Sequence, residues 1–213
     1  MWTLSVCIPV YNSDVRALVE QLCAQIDSQS GAQIDLILLD DASSQSVKAL
    51  NQFVHPKVKV VELPKNIGRA KIRNSFLKYT NADYLLFIDG DSTIQAPKFI
   101  ANYKNYLDDN LNTKVLVGAS CYQTNKPALK NRLRWRYSTQ RESLSFAVRS
   151  NQPMHGFKTN NFVIAREVLA QFPFDENLAG YDHEDTLFGL QLQQNQIPIA
   201  HIDNPVWNLH IDT

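Results

Sequence analysis

This chain lacks the features that mark several large protein classes. Its three cysteines, Cys7, Cys23 and Cys121, have no paired spacing, which excludes a disulfide framework and a zinc site built on cysteine pairs. Its longest apolar runs, such as residues 84–88, are far shorter than the roughly 20 residues that span a bilayer. It shows no signal-peptide pattern, internal repeat, G-x-G-x-x-G or Walker A loop, so we expect neither a secretory leader nor a nicotinamide-binding domain.

The chain also lacks net charge. Among its 213 residues, 21 Lys and Arg balance 21 Asp and Glu. This balance argues against a nucleic-acid binder, because such proteins carry a basic excess. The 44% hydrophobic share is typical of a globular protein, and the length favours one domain over residues 1–213. The sparse cysteines indicate a reducing, cytoplasmic setting.

The overall balance hides segments of opposite charge. Residues 57–78 hold seven Lys or Arg and one acid, and residues 126–149 have the same count. Residues 167–213 hold eight acids and no Lys or Arg. This separation indicates an anionic ligand and a cation in one site. The segment 126–149 is most simply a charged helix face, and the alternative is contact with a phosphorylated or lipid-linked acceptor or peripheral contact with an anionic membrane.

Apolar runs and amphipathic stretches alternate over residues 1–120. Runs rich in Val, Ile and Leu predict strands at 4–10, 34–39, 58–63, 84–88 and 115–119, with later ones at 162–165 and 197–201. Helical spacing predicts helices at 15–26, 46–53, 69–79, 97–107, 128–148 and 184–194. The alternation predicts an α/β fold with a mostly parallel central sheet and helices on both faces. Ligands of such sheets bind beyond the carboxyl ends of the strands.

Acidic residues follow two of the predicted strands. Asp89-Gly90-Asp91 ends the fourth, where two carboxylates can share a divalent cation that neutralises a diphosphate, and Gly90 permits close approach of a phosphate. Asp40-Asp41 ends the second, and two adjacent acids exceed what a helix cap needs, so we expect them to bind a base or ribose. The structural alternatives are a polar turn for Asp89-Gly90-Asp91 and a helix cap after Asp40-Asp41.

Two predicted helix starts add further candidates. Asn66, Arg69 and Arg73 lie at the start of the third helix, where they suit phosphate contact, although a solvated helix face explains them equally well. Glu184 and Asp185 open a later helix. Acids in a first turn are ordinary capping chemistry, and a buried acid there can also act as a general base.

Five motifs in order resemble the GT-A-fold glycosyltransferases of family 2. They are Val6-Cys7-Ile8-Pro9-Val10-Tyr11-Asn12, Leu39-Asp40-Asp41-Ala42-Ser43, Asn66-Ile67-Gly68 leading to Arg73-Asn74, Asp89-Gly90-Asp91, and Phe174-Asp175-Glu176 leading to Glu184-Asp185. The likeness covers nearly the whole chain. It implies an inverting transfer of a sugar from a nucleoside diphosphate sugar, usually a UDP-sugar, to an acceptor hydroxyl. It also implies a role in polysaccharide or glycoconjugate synthesis for the cell envelope, in the cytoplasm or at the inner face of the membrane.

The resemblance, taken with the strand ends, assigns a role to each candidate residue. The nucleotide sugar is expected on Pro9, Tyr11, Asn12, Asp40, Asp41, Asn66, Arg69, Arg73, Asp89 and Gly90. Mn²⁺ or Mg²⁺ is expected on Asp91, with Asp89 and His210 as further ligands. Asp185 is the implied catalytic base, and Glu184 would orient acceptor or donor hydroxyls. The nucleotide-sugar half would run to about residue 120 and the acceptor half from about 121.

Two other classes stay open. A sugar nucleotidyltransferase also uses acids and a metal, but such enzymes usually carry a Gly-rich loop where this chain has Tyr11-Asn12-Ser13. A non-catalytic module that binds a nucleotide or a glycan is the other class, and the presence of Asp89, Asp91 and Asp185 argues against it. The expected partners are therefore a nucleotide sugar and a glycan or lipid-linked acceptor, with no nucleic acid.

Overall fold

The computed structural model describes residues 2–29, 33–53, 55–122, 127–154, 156–178 and 184–208. The strands are β1 (Thr3–Val10), β2 (Gln33–Asp40), β3 (Val58–Glu62), β4 (Tyr84–Ile88), β5 (Ser92–Thr93), β6 (Val115–Val117), β7 (Ser120–Tyr122), β8 (Asn161–Ala165), β9 (Ile199–His201) and β10 (Val206–Asn208). The helices are α1 (Arg16–Asp27), α2 (Gln45–Leu50), α3 (Arg69–Ser75), α4 (Phe99–Asp109), α5 (Arg132–Tyr137), α6 (Phe146–Asn151), α7 (Arg166–Gln171) and α8 (Glu184–Gln194). None of these helices is long and apolar enough to cross a bilayer.

Within the described residues, seven strands form one sheet in the order β3-β2-β1-β4-β8-β6-β9. Strand β1 pairs in parallel with β2 and β4, β2 with β3, and β6 with β9, whereas β8 is antiparallel to β4 and β6. The predicted mostly parallel sheet is therefore confirmed. Strands β5, β10 and β7 form a second small sheet. This sheet was not predicted, because strands of two or three residues carry too little periodicity.

A hydrophobic core lies on each face of the large sheet, because side chains along a strand alternate between the two faces. In β2, Leu36 and Leu38 belong to one core, and Ile37 and Leu39 belong to the other. Helices α1 and α4 cover the first core, and α3, α7 and α8 cover the second. Helices on both faces, as predicted, are thus confirmed.

The single helix predicted over residues 128–148 is wrong. A 3₁₀ turn (Leu129–Asn131), α5 and a π-helical turn (Ser138–Glu142) follow one another, and the chain then leaves helical geometry at Ser143, whose ψ is 64°. Helix α6 starts anew, with the Ser145 side chain accepting a hydrogen bond from the Val148 amide. Serine competes with helix continuation because its hydroxyl bonds nearby backbone groups and favours cap positions.

A buried pair, Arg149 and His201, ties α6 to the sheet. Arg149 is 2% exposed and donates to the carbonyl oxygens of Gly118 and Ile202 and to Nδ1 of His201, the last at 2.9 Å. Nε2 of His201 donates to the Pro153 carbonyl oxygen at 3.0 Å. Burial, opposed in part by this bond and reinforced by the charge of Arg149, lowers the pKa of His201 from 6.5 to about 4. The ring therefore stays neutral in the folded protein at neutral pH.

We expect the free energy of unfolding to fall as the pH drops from about 6.5 to about 4, with His201 contributing up to about 3 kcal/mol. The unfolded chain binds a proton at this histidine below pH 6.5, whereas the folded chain binds it only near pH 4, so acid favours unfolding. Urea titrations near pH 7 and near pH 5 measure this loss. His201→Gln should lose less stability on acidification than the parent chain. His55→Gln, at a histidine paired with Asp27, is the control, and an unchanged pH dependence in His201→Gln would contradict the assignment.

Candidate active site

A cavity of about 480 Å³ opens at the carboxyl ends of β1, β2 and β4. Its lining is Pro9, Val10, Tyr11, Ser13, Asp41, Asn66, Gly68, Arg69, Ile72, Arg73, Asp89, Gly90 and Asp91. Strand β1 lies between β2 and β4, and these parallel strands end at the same edge of the sheet. All the predicted nucleotide-sugar contacts except Asn12 and Asp40 are therefore brought together in one cavity.

The loop after β4 lies close against β1, and Gly90 makes this approach possible. A Cβ atom at Gly90 would lie 3.1 Å from Cγ1 of Val15 and 3.3 Å from the Pro9 carbonyl oxygen. The Ser13 hydroxyl donates to the Gly90 carbonyl oxygen at 3.2 Å. A larger residue would push the loop and its two carboxylates away from β1. Packing against β1 therefore requires the small residue between Asp89 and Asp91.

Two arginines of α3 join this loop to the start of α8. Arg73 is 1% exposed, and its guanidinium donates to Oδ1 of Asp89 at 2.8 Å and to Oε1 of Glu184 at 2.7 Å. Arg69 reaches the same two carboxylates from a more exposed position, at 3.5 Å and 3.0 Å. The Phe174 ring packs 5.7 Å from the Arg73 guanidinium carbon. Glu184 is thereby fixed beside the cavity although it comes from a distant part of the chain.

The two carboxylates after β2 have different positions. Asp41 accepts hydrogen bonds from the backbone amides of Ile67 at 2.7 Å and Gly68 at 3.1 Å, which fixes the turn into α3. Gly68 has a φ of 85°, a conformation that favours glycine. Asp40 accepts a hydrogen bond from the Ser43 amide at 2.7 Å and does not line the cavity. Of this pair, only Asp41 is placed to meet a ligand there.

Asn12 and Tyr11, which follow β1, also differ in position. Asn12 donates its backbone N–H to the Ser43 hydroxyl and accepts the Ser44 amide N–H on its side-chain oxygen, each at 2.8 Å. These bonds join the turn after β1 to the turn after β2, so Asn12 shapes the edge of the site and does not line the cavity. Tyr11 is 57% exposed and lines the cavity, where its ring can stack on a planar ligand.

Asp185 lies next to Glu184 in the first turn of α8. Its Oδ1 accepts a hydrogen bond from the Thr159 hydroxyl at 2.5 Å, and Thr159 is 1% exposed. Among the described residues, Oδ2 of Asp185 has no hydrogen-bond partner. Asp185 does not line the 480 Å³ cavity, but the neighbouring residues Lys158 and Thr186 line a second cavity of about 820 Å³. The carboxylate thus lies close to residues of both cavities.

The loop after β4 offers oxygen ligands for a divalent cation. Asp89 and Asp91 both line the cavity, and carboxylate oxygens are the ligands that Mg²⁺ and Mn²⁺ prefer. In the part of the chain that the structure describes, no group of three or more His, Cys, Asp or Glu is arranged to hold a metal. The third predicted ligand, His210, lies outside the described residues. Two carboxylates fit a cation that takes its other ligands from water and phosphate oxygens, as Mg²⁺ usually does.

Five residues of the site were not among the predicted contacts: Val10 and Gly68, which the quoted motifs contain, and Ser13, Ile72 and Thr159. Ile72 lines the cavity three residues after Arg69 on α3, so helical spacing could have placed it there. Ser13 follows the Tyr11-Asn12 motif and could have been included with it. Thr159 lies in a loop before β8, and no local pattern marks it as a partner of Asp185.

The fold and the site define an α/β protein that presents an acidic strand-end loop and a basic helix to one cavity. S. aureus TarS 1–349 in complex with UDP has this fold, with a TM-score of 0.69 and 20% identity over 96% of this chain and 60% of that one. Glucosyl-3-phosphoglycerate synthase from Mycobacterium tuberculosis, in complex with Mn²⁺, UDP-glucose and phosphoglyceric acid, has a TM-score of 0.64 and 18% identity over 96% of this chain and 70% of that one. The fold is that of the GT-A glycosyltransferases, as predicted.

The chain belongs to glycosyl transferase family 2, whose family model matches residues 5–171. An uncharacterized glycosyltransferase from Haemophilus influenzae is 35% identical over 112 residues, which make up 51% of this chain and 41% of that relative. The match thus spans about two fifths of the relative's length. The family resemblance carried by the five sequence motifs is confirmed.

Proposed function

We propose that this chain is the catalytic domain of an inverting glycosyltransferase that moves a sugar from a UDP-sugar to an acceptor hydroxyl. The observation that carries the proposal is the pair of hydrogen bonds that Arg73 donates to Asp89 and Glu184. These bonds hold the loop after β4, called the acidic loop below, beside the start of α8 and hence beside Asp185. Membership of family 2 and the UDP bound by the S. aureus neighbour support it. In this proposal residues 1–213 form one domain, with a nucleotide-sugar half to about residue 120 and an acceptor half beyond it.

The 480 Å³ cavity suits a nucleoside diphosphate. The exposed ring of Tyr11 would stack on the base, and the polar groups of Asp41 and Asn66 would meet the base and ribose. Each carboxylate oxygen of Asp41 already accepts one backbone amide and can accept a further donor. Arg69 and the basic segment 57–78 would bring positive charge to the diphosphate.

A divalent cation, Mn²⁺ or Mg²⁺, would be held by Asp91, with Asp89 and His210 as further ligands. When bound, it would neutralise negative charge on the diphosphate leaving group. The Mn²⁺ bound with UDP-glucose in the M. tuberculosis neighbour supports a metal in this role.

Asp185 is the proposed general base. Its Oδ2 accepts the proton of the acceptor hydroxyl as that oxygen forms a bond to the anomeric carbon. The bond from this carbon to the diphosphate oxygen breaks on the opposite face, UDP leaves with the electron pair, and the anomeric configuration is inverted. Thr159 holds Oδ1 and so fixes the direction of Oδ2. Glu184, anchored by Arg73, would orient acceptor or donor hydroxyls.

The 820 Å³ cavity is the proposed acceptor site. Its lining combines apolar groups such as Tyr137, Phe157 and Leu190 with the cations of Arg141 and Lys158. This mixture suits a glycan or a lipid-linked acceptor, as in polysaccharide or glycoconjugate synthesis for the cell envelope. All three cysteines are unpaired, as is usual in reducing compartments, and we place the reaction in the cytoplasm.

Release of UDP separates a transferase from the two other classes. The donor is first chosen by the rise in melting temperature that UDP-, GDP- or dTDP-sugars produce with Mn²⁺. The chain should then release UDP slowly from its preferred sugar nucleotide without an acceptor, because water takes the acceptor's place. A binding module would be stabilised without releasing UDP, and a nucleotidyltransferase would instead form a nucleotide sugar from a sugar phosphate. Either result would overturn the proposal.

Asp91→Ala should weaken UDP binding in the presence of Mn²⁺ by at least about tenfold, since even the residues that support metal ligands contribute that much to metal affinity. UDP binding without metal should change little, because the carboxylate would act through the cation. Calorimetric titration of UDP with and without Mn²⁺ measures both values. Asp109→Ala, at an exposed acid at the end of α4, is the matched control. Equal UDP affinity of Asp91→Ala and the parent chain in Mn²⁺ would exclude this metal site.

A further inference from the structure

The segment 127–142 presents a stripe of apolar side chains to solvent. Leu129, Leu133 and Tyr137 are 77%, 84% and 61% exposed. Leu133 and Tyr137 are four residues apart within α5, so they lie on one face of that helix, and Leu129 lies in the 3₁₀ turn directly before it. The opposite face packs on the protein, where Ser138 is 3% exposed and the π-helical turn contacts β7. Clustered exposed apolar side chains of this size mark an interaction surface.

Exposed cations flank this stripe. They are Lys130, Arg132, Arg134, Arg136 and Arg141. Within α5, at 100° per residue, Arg134 lies on one side of the line from Leu133 to Tyr137, and Arg132 and Arg136 lie on the other side. The first acid in the segment is its last residue, Glu142. An apolar stripe between two cationic edges is the pattern of a helix that lies in a membrane interface.

We infer that the surface formed by residues 127–142 binds anionic phospholipid bilayers. Side chains exposed to 77% and 84% stand clear of the protein, so a protein partner would need a preformed groove to cover them, whereas the acyl region of a bilayer takes them without one. Headgroup phosphates can meet the cations on both edges at the same time. A nucleic acid would use the cations but would leave Leu129 and Leu133 in water.

This surface adjoins the 820 Å³ cavity, because Tyr137 and Arg141 belong to both. A bilayer held there would lie beside the residues that flank Asp185 and Thr159. Binding to the bilayer does not depend on the proposed transfer reaction, so it can be tested on the chain alone.

Vesicle sedimentation tests the inference. The 213-residue chain is mixed with vesicles of phosphatidylcholine and phosphatidylglycerol, or of phosphatidylcholine alone, and its partition coefficient is measured. We expect binding to the anionic vesicles only, weakening with salt as the Debye length falls from about 10 Å at 0.1 M to about 3 Å at 1 M. Each cation near an anionic surface raises partition by roughly fivefold, so Arg132→Gln with Arg136→Gln should lower it by roughly 25-fold.

The apolar stripe is tested separately. Leu129→Ser with Leu133→Ser should lower partition by at least about tenfold, because two side chains no longer leave water for the acyl region. Leu111→Ser removes a leucine that is 72% exposed elsewhere, and Lys78→Gln with Lys98→Gln removes two exposed cations outside the segment. These control variants should keep the parent's partition coefficient. An unchanged melting temperature in every variant shows that the fold is intact.

Three results would overturn the inference. The first is no sedimentation with anionic vesicles at low salt. The second is an unchanged partition coefficient in Leu129→Ser with Leu133→Ser. Binding would then depend on charge alone, without insertion of the leucine side chains into the bilayer. The third is a dimer in light scattering that the same variant converts to a monomer, because the stripe would then cover a second copy of the chain.

Discussion

Asp185→Asn is expected to abolish sugar transfer while leaving UDP binding nearly intact. The amide has the shape of the carboxylate and still offers an oxygen to the Thr159 hydroxyl, but it cannot take up the acceptor's proton. Removal of a general base typically lowers the rate by about 10²- to 10⁴-fold. Asp185 does not line the cavity proposed for the nucleotide, so the Kd of UDP should not change.

Two measurements separate catalysis from binding in this variant. UDP release from the preferred UDP-sugar gives kcat, and calorimetry with UDP and Mn²⁺ gives Kd. Glu167→Gln is the matched control, because Glu167 also lies in the first turn of a helix but pairs with Lys114 at the surface. It should keep the parent's kcat. Parent-like turnover by Asp185→Asn would exclude Asp185 as the base, and a loss of UDP affinity in step with kcat would indicate a role in donor binding instead.

The large sheet could be predicted from the sequence because its first strands are long and apolar on both faces. Strands β1 and β2 each contain eight residues, and most of their side chains are buried. The second sheet could not be predicted, since β10 pairs with β5 and β7, which are distant in sequence and no longer than three residues. The prediction of one helix over 128–148 was wrong for another reason. The hydrophobic spacing continues past Ser143 and Ser145, where the backbone turns.

The place of the site was predictable, but the contacts within it were not. Parallel strands end at one edge, so the carboxylates after β2 and β4 had to lie near each other. Whether Asp40 or Asp41 lines the cavity depends on a turn in which Asp40 binds the Ser43 amide. The bond from Arg73 to Glu184 joins residues separated by 111 positions, and no local pattern encodes such a pairing. The roles of Asp185 and His210 remain predictions.

Arg73→Met is expected to destabilise the protein by about 3–5 kcal/mol, the usual loss when one partner of a buried ion pair is removed. The guanidinium is 1% exposed and lies between the carboxylates of Asp89 and Glu184, whose side chains are 18% and 13% exposed. Methionine fills much of the space beside Phe174 but leaves two partly buried negative charges without this counter-charge. The melting temperature should fall by roughly 10 °C for a chain of this size.

Arg69→Met separates burial from charge, because Arg69 contacts the same two carboxylates with a side chain that is 42% exposed. An exposed ion pair contributes no more than about 1 kcal/mol, so this variant should lose far less stability than Arg73→Met. Adding Glu184→Gln to Arg73→Met should restore part of the loss, since one unpaired charge is removed. Urea titrations of the four chains measure these differences. Two outcomes would contradict this role: an equal loss of unfolding free energy in the two arginine variants, or no recovery when Glu184→Gln is added. Either would show that Arg73 acts through packing and not as the buried counter-charge that joins α3, the acidic loop and α8.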